Sequence, residues 1–323
     1  MEKITESQIR ALDEKIQELT QLAITHNLNI SREIAELNHS KTEMEKAYYK
    51  QLSPWDKLNL ARHQERPTTL DYVHYICDDF IPLHGDRHFR EDGAIVGGIG
   101  QIGTEVVTLI GHQKGRNTKE NIERNFGMPH PEGYRKALRL MEAANRFGRP
   151  IICFVDTPGA YCGIGAEERG QGEAIARNLM ESMGWTVPIL VVVIGEGGSG
   201  GALALGLGNR IYMLEHSIYS VLSPEGFASI LWKDSGRAKE AAQIMGITAQ
   251  DLKAFHLIDE VLPEPLGGAH KDLAAMAKKI KSKLQADLAY FKSLAPEVIK
   301  AQRYEKFRQI GALAAKEDLC TQE

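Results

Sequence analysis

The stretch Pro188-Ile189-Leu190-Val191-Val192-Val193-Ile194-Gly195-Glu196-Gly197-Gly198-Ser199-Gly200-Gly201-Ala202-Leu203-Ala204-Leu205-Gly206 decides how the rest of the chain is read. Its first half is an unbroken apolar run rich in β-branched residues, the pattern of a strand covered on both faces. Five glycines then fall within the seven positions 195–201, and small aliphatic residues suited to a buried helix follow. So dense a cluster exceeds what close helix–strand packing needs. Strand, glycine turn and helix together aim backbone N–H groups at a negative charge. Glycine lets the main chain approach a ligand, and the helix start adds unpaired donors and a positive dipole end.

Three readings fit these residues. Gly195, Gly197 and Gly200 match the dinucleotide fingerprint G-x-G-x-x-G, with Glu215 twenty residues after Gly195. That fingerprint normally opens a βαβ unit, whereas here it lies far into the chain. Gly197-Gly198-Ser199-Gly200-Gly201 matches G-x-S-x-G, the nucleophile elbow of a serine hydrolase. Asp251 or Asp259 followed by His270 would supply the triad order, although order without geometry identifies no triad. The third reading is an oxyanion hole of backbone donors with no side-chain nucleophile.

A second unit of the same kind lies just upstream. Ile151-Ile152-Cys153-Phe154-Val155 reads as a buried strand, Asp156-Thr157-Pro158-Gly159-Ala160-Tyr161-Cys162-Gly163 as its loop, and Ala174 to Met183 as its helix. If the two strands are neighbours, both loops emerge at one sheet edge, where ligands bind in open α/β sheets. Residues 94–100 and 105–111 form a hairpin turning near Gly103-Thr104, and Tyr134 to Phe147 is an amphipathic helix ended by Gly148 and Pro150. Between them the polar segment 112–133 carries Lys114, Arg116, Lys119 and Arg124, a cluster fit for an anion or for solvent. His84 and His88 lack a third ligand and read as a solvated loop.

Downstream, residues 211–214 and 217–222 are short strands, and Ser223-Pro224-Glu225-Gly226 starts a helix. Arg237 to Met245 is another helix, Thr248-Ala249-Gln250-Asp251 is a capping box, and 256–262 gives a late strand. Two strands and a helix thus recur across 94–262, which suggests a spiral of ββα units. At the start, apolar positions Ile9 to Ala23 and Ile30 to Tyr48 keep helical spacing, with Ser31 and Glu33 as a cap. They predict a helical hairpin over 1–52, either an interaction arm or a pair packed on its own domain, ahead of a body spanning 53–323. The tail is helical, and Lys300 to Lys316 is rich in Lys and Arg.

Composition narrows the class. A chain of 323 residues, 43% hydrophobic, can bury a substantial core, and a net charge of −4 argues against a general nucleic-acid binder. No apolar run approaches a membrane span, and Met1-Glu2-Lys3-Ile4-Thr5-Glu6 has no signal-peptide core. Four scattered cysteines give neither a disulfide framework nor a zinc site. A cytoplasmic protein is expected, with no membrane and no DNA needed for activity.

Several motifs together carry a resemblance. Gly97-Gly98, Gly111-His112-Gln113-Lys114-Gly115-Arg116, Asn125-Phe126-Gly127-Met128-Pro129, Pro131-Glu132-Gly133-Tyr134-Arg135-Lys136-Ala137, Asp156-Thr157-Pro158-Gly159-Ala160-Tyr161 and the 195–202 turn belong to it. So do Ser223-Pro224-Glu225-Gly226 and Pro263-Glu264-Pro265-Leu266-Gly267-Gly268-Ala269-His270. The chain closely resembles, over nearly its whole length, the alpha subunit family of the bacterial acetyl-CoA carboxylase carboxyltransferase. Cys162 departs from the proline expected there, which bears on the stiffness of that loop.

The resemblance implies an α/β crotonase-type (ClpP/crotonase) spiral of ββα units with an N-terminal helical hairpin and C-terminal helices. It implies transfer of a carboxyl group from carboxybiotin, held on a separate biotin carboxyl carrier protein, to acetyl-CoA, giving malonyl-CoA for fatty-acid biosynthesis. It implies an α2β2 heterotetramer with a beta subunit that holds the zinc, no metal in this chain, and a separate biotin carboxylase that alone uses ATP. Gly200 and Gly201 would form the oxyanion hole for the biotin carbonyl, while Gly159, Ala160, Tyr161, Gly163, Gly197 and Gly198 would bind the substrate and biotin. Charge develops there on oxyanions, which fixed backbone donors stabilise without a protein nucleophile.

Overall fold

The computed structural model describes residues 5–26 and 28–312. The chain opens on α1 (Glu6–His26) and α2 (Ser31–Lys50), antiparallel partners joined by the Lys41–Asp13 ion pair. Ile30, and not Ser31, is the N-cap of α2, and no side chain caps it, so Ser31 is already helical. Then come α3 (Pro54–Ala61) and α4 (Thr69–Ile76), each opened by a reciprocal capping box, Ser53 with Asp56 and Thr68 with Asp71.

One eight-stranded sheet forms the body, comprising β1 (Asp79–Pro82), β2 (Ile95–Ile102), β3 (Glu105–His112), β4 (Ile151–Thr157), β5 (Ile189–Gly198), β6 (Arg210–Leu214), β7 (Ile218–Ser220) and β8 (Glu260–Leu262). Along the sheet the order is β1-β2-β3-β4-β5-β6-β8. Its first two pairings are antiparallel and the others parallel, so β4 and β5 are parallel neighbours, Ile151 beside Ile189. β5 changes partner along its length. Leu190 to Val193 pair with β6, whereas Glu196 to Gly198 pair with β7.

The helices between these strands are α5 (Thr118–Glu123), α6 (Pro131–Arg146), α7 (Ile164–Glu168), α8 (Gln171–Gly184), α9 (Ser199–Leu203), α10 (Pro224–Trp232), α11 (Ala238–Ile244) and α12 (Ala249–Ala254). The last helices among the described residues are α13 (Leu273–Lys292) and α14 (Pro296–Gln309). Of the basic stretch read over 300–316, residues 313–316 lie outside the described residues. Two further expectations needed correction, and one element went unread. The strand read over 256–262 begins only at Glu260, the helix after β5 is a single turn, and the edge strand β1 went unread.

Alternation along the central strands sends side chains to two cores. Ile152, Phe154, Leu190, Val192 and Ile194 pack under α4 and α13 with Tyr72, Ile280 and Leu284. Ile151, Cys153, Val155, Ile189, Val191 and Val193 pack on the other face with Ala137, Met141 and Leu252. Both faces being covered explains the unbroken apolar runs. Arg303 of α14 is fully buried and donates to the Val187 carbonyl (3.2 Å), Asn209 (2.6 Å) and the Trp185 carbonyl, with burial pulling its pKa down to about 10.

Candidate functional site

The strand ends are set by an irregularity. Val155 pairs with Val193, but the next pair is Thr157 with Gly197, so four residues advance on β5 for two on β4. An extra loop of backbone in one strand leaves unpaired groups and re-aims the chain. Asp156 fills the gap, its Oδ1 accepting the Glu196 N–H (2.9 Å), and a Cβ on Gly195 would collide with that carboxylate.

A line of charge runs beneath the turn. Lys114, just past β3, donates to Asp156 Oδ1 (2.6 Å) and lies 4.0 Å from Glu196. Arg62 holds Glu196 through Nε (2.9 Å) and Nη2 (2.6 Å), and its Nη1 reaches Glu225 (2.8 Å) at the start of α10. Burial works against the Arg62 charge, but Glu196 and Glu225 outweigh it and raise its pKa. These pairs tie α3, β3, β4, β5 and α10 together at one edge.

The two glycine loops meet above that line, backbone against backbone. A Cβ on Gly198 would overlap the Pro158 carbonyl, and one on Gly201 would stand 2.5 Å from Ala160 N and 2.9 Å from the Tyr134 hydroxyl. Gly197 and Gly198 are buried inside β5, where a Cβ on Gly198 would meet the first loop and one on Gly197 the Tyr219 ring. Ser199 takes a left-handed backbone, φ 52°, which ends the strand and starts α9. Gly200 faces outward, with only the Ile175 side chain near, at 3.7 Å. Gly200 and Gly201 stand in the first turn of α9, where N–H groups have no intrahelical acceptor and no side chain caps them, and the Ala160 N–H has no partner among the described residues. The helix-start donors of Gly200 and Gly201 thus lie at the place where the two loops touch.

Each loop is held from behind. His112 Nε2 bonds the Gly201 carbonyl at 3.2 Å, and since a carbonyl only accepts, the imidazole donates. Burial pushes the His112 pKa down to about 4, so the ring is neutral at pH 7. In the first loop, Gly159 N donates to Thr157 Oγ1 (3.0 Å) and Gln171 Nε2 donates to the carbonyls of Pro129 and Tyr161 (2.8 Å each). The Tyr161 ring packs against His130, tilted 33° with centroids 4.1 Å apart, and Gly163 caps α7 beside the Tyr161 ring. Cys162 is exposed, and Gln171 pins the loop from outside, so the missing proline leaves it anchored.

The other readings of the turn find no partners. Asp251 is used by Thr248 in its capping box, and Asp259 accepts the Ile211 N–H (2.7 Å) and pairs with Lys306. His270 stacks on His63 at 4.2 Å, and no hydrogen bond joins any of these three to Ser199. Glu215, the ribose candidate of the dinucleotide reading, accepts the Glu264 N–H (3.0 Å). Among the described residues, His63, Glu65 and His270 form the group whose ligand atoms lie within 4.8 Å of one another. Their near-parallel stacked rings and the adjacent Arg66 and Lys271 charges work against a cation there.

Sequence reasoning found the glycines and missed the groups that hold them: Asp156, Glu196, Arg62, His112, Tyr134 and Gln171. One signal was available. A glutamate between glycines at the end of an apolar strand, facing an Asp-Thr-Pro at the end of the next, calls for buried partners of opposite charge.

Solved structures with this architecture identify the fold. A Pseudomonas malonate decarboxylase hetero-tetramer in complex with coenzyme A aligns with TM-score 0.60 at 16% identity, over 79% of this chain and 98% of that chain. The beta subunit of geranyl-CoA carboxylase from P. aeruginosa aligns with TM-score 0.54 at 18% identity, over 79% and 46%. The fold is thus that of the crotonase-type carboxyltransferases. Residues 3–311 match the family described as acetyl co-enzyme A carboxylase carboxyltransferase-like, and the chain belongs to it. It is 56% identical over 303 residues to the acetyl-coenzyme A carboxylase carboxyl transferase subunit alpha of Geobacillus thermodenitrificans, covering 94% of this chain and 93% of that one. It is 55% identical over 307 residues to the same subunit of Alkaliphilus oremlandii, covering 95% and 97%.

Proposed function

We propose that this chain, a carboxyltransferase subunit of acetyl-CoA carboxylase, stabilises the charge of carboxyl transfer on the backbone N–H groups of Gly200 and Gly201, with Ala160 beside them. The observation that carries the reading is the backbone-to-backbone contact of the two glycine loops at the uncapped first turn of α9, with no hydrogen bond from Asp251, Asp259 or His270 to Ser199. Carboxybiotin on a separate carrier, when bound, supplies the carboxyl group that acetyl-CoA accepts to become malonyl-CoA. The open side of Gly200 suits a ring that must come within hydrogen-bond distance of the backbone. Donors fixed by buried partners need no reorganisation as charge appears, and that is the source of their catalytic effect.

The chain's own residues set this geometry. Asp156 and Lys114 fix the strand ends, His112 fixes the first turn of α9, and Gln171 fixes the Gly159–Gly163 loop. Charge develops on two substrates, whereas this chain offers one such pair of loops. A beta subunit of similar fold is therefore the partner that completes the site, in an α2β2 assembly with the carrier and the ATP-dependent biotin carboxylase acting separately. The α1–α2 hairpin is the interaction arm: α2 buries no residue, and Leu22, Ile24 and Leu28 are exposed at the tip. No helix among the described residues is long and apolar enough to cross a membrane, in keeping with a cytoplasmic enzyme.

The test is malonyl-CoA formation from carboxybiotin and acetyl-CoA by this chain alone, by the beta subunit alone and by the two together. Turnover only in the mixture is expected. Robust turnover by this chain alone would overturn the split site.

A further inference from the structure

Tyr134 lies in the first turn of α6 with its side chain fully buried, and its hydroxyl has no hydrogen-bond partner among the described residues. It sits in a small apolar cluster with Ala174 and Ala204, against which Ala160 and Ile175 pack. A hydroxyl taken from water and left unpaired among apolar neighbours costs stability, and phenylalanine would fill the same space without that cost. Burial, with the Asp92 charge adding to it, holds the Tyr134 pKa well above the usual tyrosine value, so the proton stays on the oxygen at neutral pH.

The place of this hydroxyl is fixed. Asp92 accepts the His130 N–H (2.5 Å) just before α6, and the Pro129 carbonyl accepts the Tyr161 N–H (3.0 Å), which joins the start of α6 to the first glycine loop. The Tyr134 oxygen stands 2.9 Å from the point that a Gly201 Cβ would occupy, and the Ala160 nitrogen stands 2.5 Å from the same point. The hydroxyl, the Ala160 N–H and the first turn of α9 are thus gathered round Gly201. A hydroxyl that serves the fold alone bonds a carbonyl, as Ser217 bonds that of Leu214 (2.7 Å).

We propose that Tyr134 is a positioning residue for carboxyl transfer, an inference that rests on the function proposed above. No acceptor of the fold claims its proton, which is free to turn toward negative charge at Gly201 as that charge appears. In a dry, apolar setting a dipole held at this distance acts more strongly than it would in water, and no solvent has to reorganise. The hydroxyl is covered by the loops and does not touch the reacting atoms. It supports the Gly201 and Ala160 donors from behind and transfers no proton.

Tyr134→Phe tests the proposal, because it removes the oxygen and little else. In the complex with the beta subunit, kcat for malonyl-CoA formation should fall roughly tenfold at unchanged KM for acetyl-CoA, since the dipole matters only once charge has formed. In urea, the variant chain should unfold at the same or a higher denaturant concentration, an unpaired hydroxyl having been lost from an apolar site. A slower enzyme that is no less stable is the result that a purely structural hydroxyl does not give. An unchanged kcat, a raised KM at full kcat, or a lower unfolding midpoint would each overturn the proposal. An unsubstituted complex that forms no malonyl-CoA would count against the carboxyl transfer itself. The urea midpoints are read on this chain alone, so a lower one in Tyr134→Phe would still remove the role of the hydroxyl.

Discussion

The loop after β4 and the turn after β5 lie against each other and are built on opposite plans. The first, Pro158 to Gly163, is held by side chains: Thr157, Gln171 and the Tyr161–His130 contact. The second, Gly195 to Gly201, has Asp156 and His112 behind it but depends for its packing on the absence of side chains, since a Cβ at Gly195, Gly198 or Gly201 would meet Asp156, Pro158 or Ala160. One loop can lose a contact and keep its shape, whereas the other can gain an atom and lose it. The chemistry is placed where the tolerance is smallest.

Substitutions should reproduce that asymmetry. The largest effect is expected from Gly198→Ala, whose methyl would press on the Pro158 carbonyl, backbone that cannot swing aside. Separating the loops removes at least one aligned donor, so turnover of the complex should fall on the order of a hundredfold or more. Normal turnover by this variant would mean that the loops need not touch. Next comes Lys114→Met. It strips the cation from buried Asp156 and leaves Glu196 to Arg62 alone, and should cost roughly 1–3 kcal/mol in urea unfolding as well as activity. An unchanged unfolding midpoint would remove Lys114 from the account.

Gln171→Ala, which deletes two bonds behind the first loop, should be milder, with turnover reduced less than about tenfold. A loss as large as that of Gly198→Ala would erase the contrast between the loops. The smallest effect concerns pH. His112 titrates near 4 when folded, through burial, against about 6.5 in the unfolded chain. The unfolded state binds its proton first, so this contribution to stability is complete above about pH 6.5 and is lost as pH falls toward 4. Denaturation midpoints in that window should fall less steeply in His112→Gln than in the unsubstituted chain.

The difference between the loops also explains what the sequence discloses. The apolar runs 151–155 and 189–194 announce buried strands, and their glycine-rich sequels announce a shared edge, because period and glycine density are local properties. The capping box at Thr248 follows from three-residue spacing alone. Arg303 in a basic, seemingly solvated stretch gives no sign of being fully buried, because its acceptors are carbonyls more than ninety residues upstream. His112 and Tyr134 are likewise defined by what folds over them. The helix after β5 reads long because Ala202 to Leu205 are good helix formers, yet it stops after one turn and Gly206 lies under the Tyr219 hydroxyl.

The central claim is that backbone donors of the 195–201 turn, and no serine nucleophile, carry the chemistry. The most direct measurement compares Ser199→Gly with Gly201→Ala in the reconstituted complex, both confirmed folded, by the rate of malonyl-CoA formation at saturating acetyl-CoA. Glycine suits the left-handed backbone at 199 and removes only the hydroxyl, so that variant should keep most of its turnover. Alanine at 201 crowds Ala160 N and the Tyr134 hydroxyl, and should lose on the order of a hundredfold. The reverse pattern, an inactive Ser199→Gly beside an active Gly201→Ala, would contradict the account and return the turn to a nucleophile elbow.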